Sequence, residues 1–393
     1  MKKIFIILFF IFVIFIYNNC GNKKNLLTIP EVDVTPTATN IPPEITPSMT
    51  QVLYFKNYGG NNMDLAYSAV CTGDGYLIVG RSDSFSNGNR DIYLVKTDLY
   101  GNLLWQKIYG GVFHDEANSI RPTTDGNFII CGYTNIYGNY ESDLYYLKID
   151  PSGNVIWEKT FGAQSSDEYG YCAIPAIDGG YIITGIDSYS SSFLLKTDSD
   201  GNCVWTKSYQ YDSFAEYNSI VADSNSYYIL TSSASLLKID LTGNILWKKN
   251  YNYSLWVFIR ALIKTSNDNF IAALAGSSDV TIFKIDNNGN CLTTKTWNDF
   301  YNFGTISIAE TLTHDFIING TSDGKIALLK FDIDLNEIWL KTYTGNSVFS
   351  DSESRFCLIS PSGNYIVGGS TYSAGINGDY FLMETDTEGN KIW

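Results

Sequence analysis

Histidine is almost absent from this chain of 393 residues: His114 and His314 are the only two, and they lie 200 positions apart. No HExxH or multi-histidine zinc site can be written with such a pair, and histidine acid/base chemistry would rest on a single side chain. Positive charge is scarce as well. With 26 Lys+Arg against 41 Asp+Glu the formal net charge is −15, which argues against a surface that neutralises nucleic-acid phosphates and against broad adhesion to anionic lipid. Neither a P-loop nor a dinucleotide fingerprint occurs, and no cofactor is implied. Methionine is rare too, at 4 residues, and only 17% of the chain is charged, whereas Tyr (29), Phe (22) and Gly (33) are abundant. Such a chain buries much of itself, is not disordered and reads as all-β.

The apolar run from Ile4 to Ile16 is 13 residues long, short of the roughly 20 that span a bilayer as a helix. Preceded by Lys2 and Lys3, it has the form of a signal-peptide core. Cys20 and Gly21 follow almost at once, an arrangement that resembles the processing site of bacterial lipoproteins, in which the cysteine thiol is diacylated. Tyr17, Asn18 and Asn19 stand where that pattern has Leu and small residues, so an ordinary cleaved signal and an uncleaved anchor are the alternatives. Residues 1–19 are thus expected to be a signal peptide, with lipidation at Cys20 and a place on the bacterial cell envelope, at the outer membrane or the cell surface. Residues 20–50 hold five of the nine prolines (Pro30, Pro36, Pro42, Pro43, Pro47) and read as a semi-extended tether.

From residue 51 to 393 the chain repeats. A Lys-x-Asp-x-x-Gly-Asn-x-x-Trp string recurs seven times at spacings of 42 to 54 residues, starting at Lys96, Lys148, Lys196, Lys238, Lys284, Lys330 and Glu384. Thr293 replaces Trp in the fifth copy and Leu335 replaces Gly in the sixth. Around each string the pattern alternates apolar and polar. Asp150-Pro151-Ser152-Gly153 has the chemistry of a type I turn closed by a left-handed Gly bulge, and Thr124-Asp125-Gly126-Asn127 marks a second hairpin upstream. Four short strands in roughly 48 residues make a propeller blade, and seven copies predict a seven-bladed β-propeller. Residues 52–60 align with 103–111, so the N-terminal strand is expected to complete blade 7, with the stub 391–393 partly duplicating it.

The strings YGG…D-x-A-x-S (Tyr58, Gly59, Gly60, Asp64, Ala66, Ser68), D-G-x-x-I-x-G and D-x-Y-L-x-K-x-D-x-x-G-N resemble the secreted bacterial β-propeller repeats of SBBP type. They are more loosely similar to quinoprotein-type (PQQ-like) propeller repeats. The resemblance covers 52–393 and implies an exported or envelope-bound propeller used for binding or assembly.

Most polar repeat positions have a structural explanation. Trp105, Lys107 and Tyr109 alternate on one strand face, as interblade packing requires, and Asp332-x-Asp334-x-Asn336 lacks the Gly and the closing Glu of a calcium loop. Cys203 and Cys291 occupy a position that is otherwise largely aliphatic and are expected to be buried; Cys71, Cys131, Cys172 and Cys357 scatter over unrelated positions, unlike a disulfide framework. Departures from the repeat are more informative. Just before the innermost strand stand Asp64, Asp115, Glu116, Asp167, Glu168, Glu216 and Glu353, while blades 5 and 6 have apolar residues there and aromatic crossing loops with Tyr253, Trp256, Phe300, Tyr301 and Phe303. One face is therefore expected to be acidic over five blades and aromatic over two, as in an interaction site. The leading expectation is a non-enzymatic envelope module that binds a protein, peptide or glycan. A scaffold in outer-membrane protein assembly is the alternative, and a glycoside hydrolase using rim carboxylates such as Asp115 and Asp167 is a further one.

Overall fold

The computed structural model describes residues 55–393 apart from 87–88, 136–140, 163–165, 188–190, 210–219, 232, 252–258, 277–278, 299–306, 323–324, 344–352 and 374–375. The described residues form twenty-eight strands, β1 (Lys56–Tyr58) to β28 (Ile376–Thr385), and no helix. They are arranged as seven four-stranded antiparallel sheets, a seven-bladed β-propeller. Blade 1 is β2 (Asp64–Thr72), β3 (Gly75–Ser82), β4 (Asp91–Asp98) and β5 (Leu103–Tyr109), and blades 2 to 6 repeat that order. Each first strand lies beside the first strands of the neighbouring blades, so the ring closes around an axis. Apolar residues on both faces of each sheet pack against the adjacent sheets; Leu77, Val79 and Leu94 of blade 1 meet Ala117, Ile120 and Ile130 of blade 2.

The repeat string is the clasp between blades. Tyr109 donates its hydroxyl to the Gly153 carbonyl at 2.7 Å, Lys107 Nζ reaches Asn154 Oδ1 at 3.0 Å, and the Trp105 indole lies against Gly153. The same tyrosine contact recurs as Tyr58–Gly101, Tyr209–Gly243, Tyr251–Gly289 and Tyr343–Gly389. Two junctions lack it and compensate. Phe161 has no hydroxyl, and Tyr146 reaches Gly201 instead at 2.8 Å; Trp297, standing in the tyrosine position, donates its indole N–H to Glu337 at 2.9 Å. Gly153 has φ of +74°, a left-handed conformation costly for any residue with a Cβ, and an added methyl would lie 2.8 Å from the Trp105 ring. Gly153→Ala should therefore lose about 2 kcal/mol, read as a lower denaturant midpoint, while Gly73→Ala, where a methyl meets nothing within 4 Å, stays near wild type.

Each outer strand opens with a bulge, because Lys96 pairs with Trp105 and Thr97 with Leu103, leaving Leu104 as the extra residue. The equivalent residues Ile156, Val204, Leu246, Leu292, Ile338 and Ile392 are likewise exposed. A bulge bends an edge strand and hinders pairing with another sheet, which is the protection that seven parallel edges need.

Blade 7 joins β26 (Glu353–Ile359), β27 (Tyr365–Ser373) and β28 with β1 as its outer strand, as expected from the alignment of 52–60. The stub 391–393 does not compete with β1. Thr385 bridges Lys391, and Glu384 exchanges hydrogen bonds with Ile392 and Trp393 at 2.8 and 3.0 Å, whereas Lys56 pairs with Leu382 and Tyr58 with Tyr380. The two pieces lie end to end. Lys391-Ile392-Trp393 followed by Phe55-Lys56-Asn57-Tyr58 reproduces, residue for residue, the blade 1 strand Leu103-Leu104-Trp105-Gln106-Lys107-Ile108-Tyr109. Trp393 packs against Gly101 as Trp105 does against Gly153, and the Lys391 ammonium sits 4.6 Å from the Phe55 ring.

Candidate functional site

The acids expected on an open rim are mostly inside. Asp64, Asp115, Glu116 and Glu168 are all less than a tenth exposed, Asp167 and Glu353 are half-buried, and Glu216 lies outside the described residues. Tyr253, Trp256, Phe300, Tyr301 and Phe303 also lie outside them. The correction has a local cause: these acids belong to the first strand itself, which begins at Asp64, Asp115, Glu168 and Glu353, and the preceding Gly-Gly elbow folds over the first two. Gly60 N–H donates to Asp64 Oδ2 and Gly111 N–H to Asp115 Oδ2, both at 2.8 Å.

Each of these elbows also brings in a carboxyl from the preceding blade. A methyl on Gly59 would strike both Asp379 and Asp64; one on Gly162 would strike Asp143 and approach Glu168. Asp91 holds the same repeat position before Asp115. Burial pushes Asp115 up to about 7, against hydrogen bonds from Thr134 and Gly111 and with the Asp91 charge adding to it. Asp379 is likewise pushed up to about 7 by burial and by Asp64, and burial raises Asp64 and Asp143. Asp379 with Asp64, between blades 7 and 1, and Asp91 with Asp115, between blades 1 and 2, are thus carboxyl pairs that favour a bound proton, while Asp143 is raised also by Glu141 and Asp167. The sequence does carry a signal for them, since an acid five places before the repeat lysine (Asp379, Asp91, Asp143) precedes each acid of the following blade.

Of the free cysteines, Cys131, Cys172 and Cys357 are buried, Cys71 is half-buried and Cys291 exposed. Cys203 is disulfide-bonded and half-buried, so the expectation of burial fails at both Cys291 and Cys203. Each is the first residue of an outer strand, just ahead of the bulge. Asp332 caps its own turn by accepting from the Asp334 and Asn336 amides, as a repeat turn does. Among the described residues no group of three or more His, Cys, Asp or Glu could hold a metal ion.

Arginine, unlike lysine, avoids the outer strands. The five arginines are Arg121, Arg260 and Arg355 on first strands, Arg81 near the end of β3, and Arg90 just before β4. At the junction of blades 1 and 2, Arg81 and Arg90 belong to a cluster that the sequence reading did not single out. Glu116 Oε2 accepts from Tyr133 OH at 3.0 Å and faces Arg81 Nε at 3.5 Å and Arg90 Nη1 at 3.7 Å. Tyr133 meets Tyr169 of blade 3 edge-on, ring centroids 4.9 Å apart. Arg355 of blade 7 pairs with Glu353 and lies 5.2 Å from the Tyr67 ring. Aromatic faces, guanidinium groups and a pinned carboxylate thus meet over four consecutive blades, a mixture common at protein interaction sites.

A second grouping imitates a hydrolytic triad. Ser266 Oγ and Glu310 Oε1 lie 3.0 and 2.9 Å from His314 Nδ1, at the hairpin-turn end of blades 5 and 6. Both partners share one ring nitrogen, so the imidazole cannot pass a proton from serine to glutamate as a relay does.

No protein-family model matches the sequence, and no curated protein matches it. The similarity is one of shape. Chaetomium thermophilum Raptor superposes with a TM-score of 0.58 at 11% identity, over 86% of this chain and 30% of that one. The Dos1 propeller gives 0.50 at 11% identity, over 86% and 97%, and BamB from Moraxella catarrhalis gives 0.46 at 13% identity, over 81% and 93%. At such identities the likeness is one of fold, and this chain spans less than a third of Raptor's length. The class that the fold defines is the seven-bladed β-propeller. The resemblance to SBBP-type repeats rests on the blade strings alone.

Proposed function

We propose that this protein is a non-enzymatic binding module, a β-propeller lipoprotein held to the bacterial envelope through Cys20, that engages a protein, peptide or glycan. The observation that carries the reading is the set of contacts that joins Arg81, Arg90 and Tyr133 to Glu116, Tyr133 to Tyr169, and Arg355 to Tyr67, in a chain that is otherwise acidic and poor in arginine. The repeat explains Trp, Lys and the turn residues through the clasp, and it does not explain these. The aromatic loops with Trp256 and Tyr301 are the second part of the proposed surface.

Two measurements test it. Cys20→Ser should move the protein from the membrane fraction to the soluble fraction, and an unchanged distribution would remove the lipid anchor from the reading. Crosslinking and pull-down from intact cells should recover a partner with wild type and lose it, about tenfold, with Trp256→Ala/Tyr301→Ala or with Tyr133→Ala. Recovery of an integral barrel protein would point to outer-membrane assembly, and recovery undiminished in both variants would sink the proposed surface.

A further inference from the structure

The Arg81 side chain is nine-tenths buried and poorly used. Its Nη1 has no hydrogen-bond partner, its Nη2 meets only Met63 Sδ at 3.6 Å, and its Nε faces Glu116 at a long 3.5 Å. An arginine carries five donors in a rigid fork, and leaving them idle in a buried place is costly. At the same junction His114 has a buried Nδ1 that also lacks a partner. The backbone brings the two together: His114 bridges Arg90 in register, and Arg90 shares Glu116 with Arg81. Asp83 completes the group, 3.9 Å from Arg90 Nε. Two guanidinium groups and an imidazole stand here against two carboxylates, which leaves room for one more negative charge once the imidazole is protonated.

We infer that the junction of blades 1 and 2 is a carboxylate-binding site, in which Arg81 supplies the fork and His114 a second donor to an acidic side chain or the free C-terminus of a peptide. A planar two-oxygen acceptor is what an arginine fork matches, and a lysine cannot replace it. This deepens the binding reading above and rests on it. In the unliganded protein burial holds His114 below the ordinary imidazole range, helped by Arg90 and Arg81 and opposed by Asp83 and Glu116. A bound anion counters the two arginines, so binding should take up a proton and weaken as pH rises from 6 to 8.

The test uses the full-length protein and titrates acetate, succinate and a peptide ending in glutamate against chloride and phosphate at fixed ionic strength. Thermal unfolding and calorimetry in two buffers report binding and proton uptake. The expected result is a raised unfolding midpoint with the carboxylates, at least tenfold weaker in Arg81→Gln and still weakened in Arg81→Lys, with proton uptake lost in His114→Gln. If Arg81→Gln does not fold, His114→Gln and Arg81→Lys decide the matter. No response of wild type to any carboxylate, an equal response to phosphate, or an undiminished response in Arg81→Lys would overturn the site. A partner still captured from cells by Arg81→Gln would leave the binding module standing while this site falls.

Discussion

Removing Lys391, Ile392 and Trp393 should lower the unfolding midpoint by roughly 5–10 °C, because the three residues are half of the strand that closes the ring. The loss combines the backbone bonds to Glu384 with the Trp393 indole, which packs on Gly101 in the cluster of Tyr58, Tyr76 and Tyr93. Cutting a large aromatic side chain from a core costs about 3–5 kcal/mol, and here the adjoining strand end loses its neighbour as well. A complementary protein makes the point by addition. Trp393 lies opposite Glu384 and Lys56 opposite Leu382, with Phe55 the one residue between, so a permutant that joins Trp393 to Phe55 and opens at the Gly73-Asp74 turn should fold and unfold at or above the wild-type midpoint. Truncation without effect, or a permutant that fails to fold, would refute the split strand.

The second large effect is on pH. Asp115 titrates near 7 in the folded protein against an ordinary 3.8, so the fold binds a proton that the unfolded chain releases. Stability from this group is fully present below about pH 4, falls as pH climbs toward 7 and is flat above, a loss of roughly 4 kcal/mol over the window. Turn carboxylates act in the opposite sense: Lys148 and Thr123 hold Asp125 well below the usual range, and Lys96 and Thr72 lower Asp74. Those contributions are fully present above about pH 4 and are lost progressively as pH falls further. The wild type should therefore be most stable near pH 4–5 and decline toward pH 8; Asp115→Asn, neutral at every pH, should remove about half of that decline, since Asp379 is raised equally and supplies the rest. Equal slopes for wild type and variant between pH 5 and 8 in denaturant titrations would show that Asp115 is ionised throughout.

Blade number, strand order and ring closure were legible because the repeat writes each blade's turn and clasp in the same ten positions. What escaped was what two distant segments do jointly. Lys391-Ile392-Trp393 looks like a duplicate of residues 52–54, and only the pairings of Glu384 and Leu382 show that the pieces share one strand. The acids misled for a similar reason. Asp64 and Asp115 read as surface because carboxylates usually are, yet each has a partner position in the preceding blade, and two acids that share a proton can be buried where two charges cannot. Arg81 and His114 carry no motif at all. They are 33 positions apart in the sequence and meet only because adjacent blades place them at one end of one junction.

The split outer strand also sets an order of events. Hairpins within a blade join neighbours in sequence and form early, but β1 waits for β28, and Ala66 reaches Ser370 across 304 residues. At ribosomal speeds the interval between making the two is on the order of half a minute. Until residues 376–393 arrive, the growing chain is an open arc whose first and last sheets each present a bare apolar face. Ring closure is then the slow step, and the arc, not the finished propeller, is the species that has to be kept from aggregating.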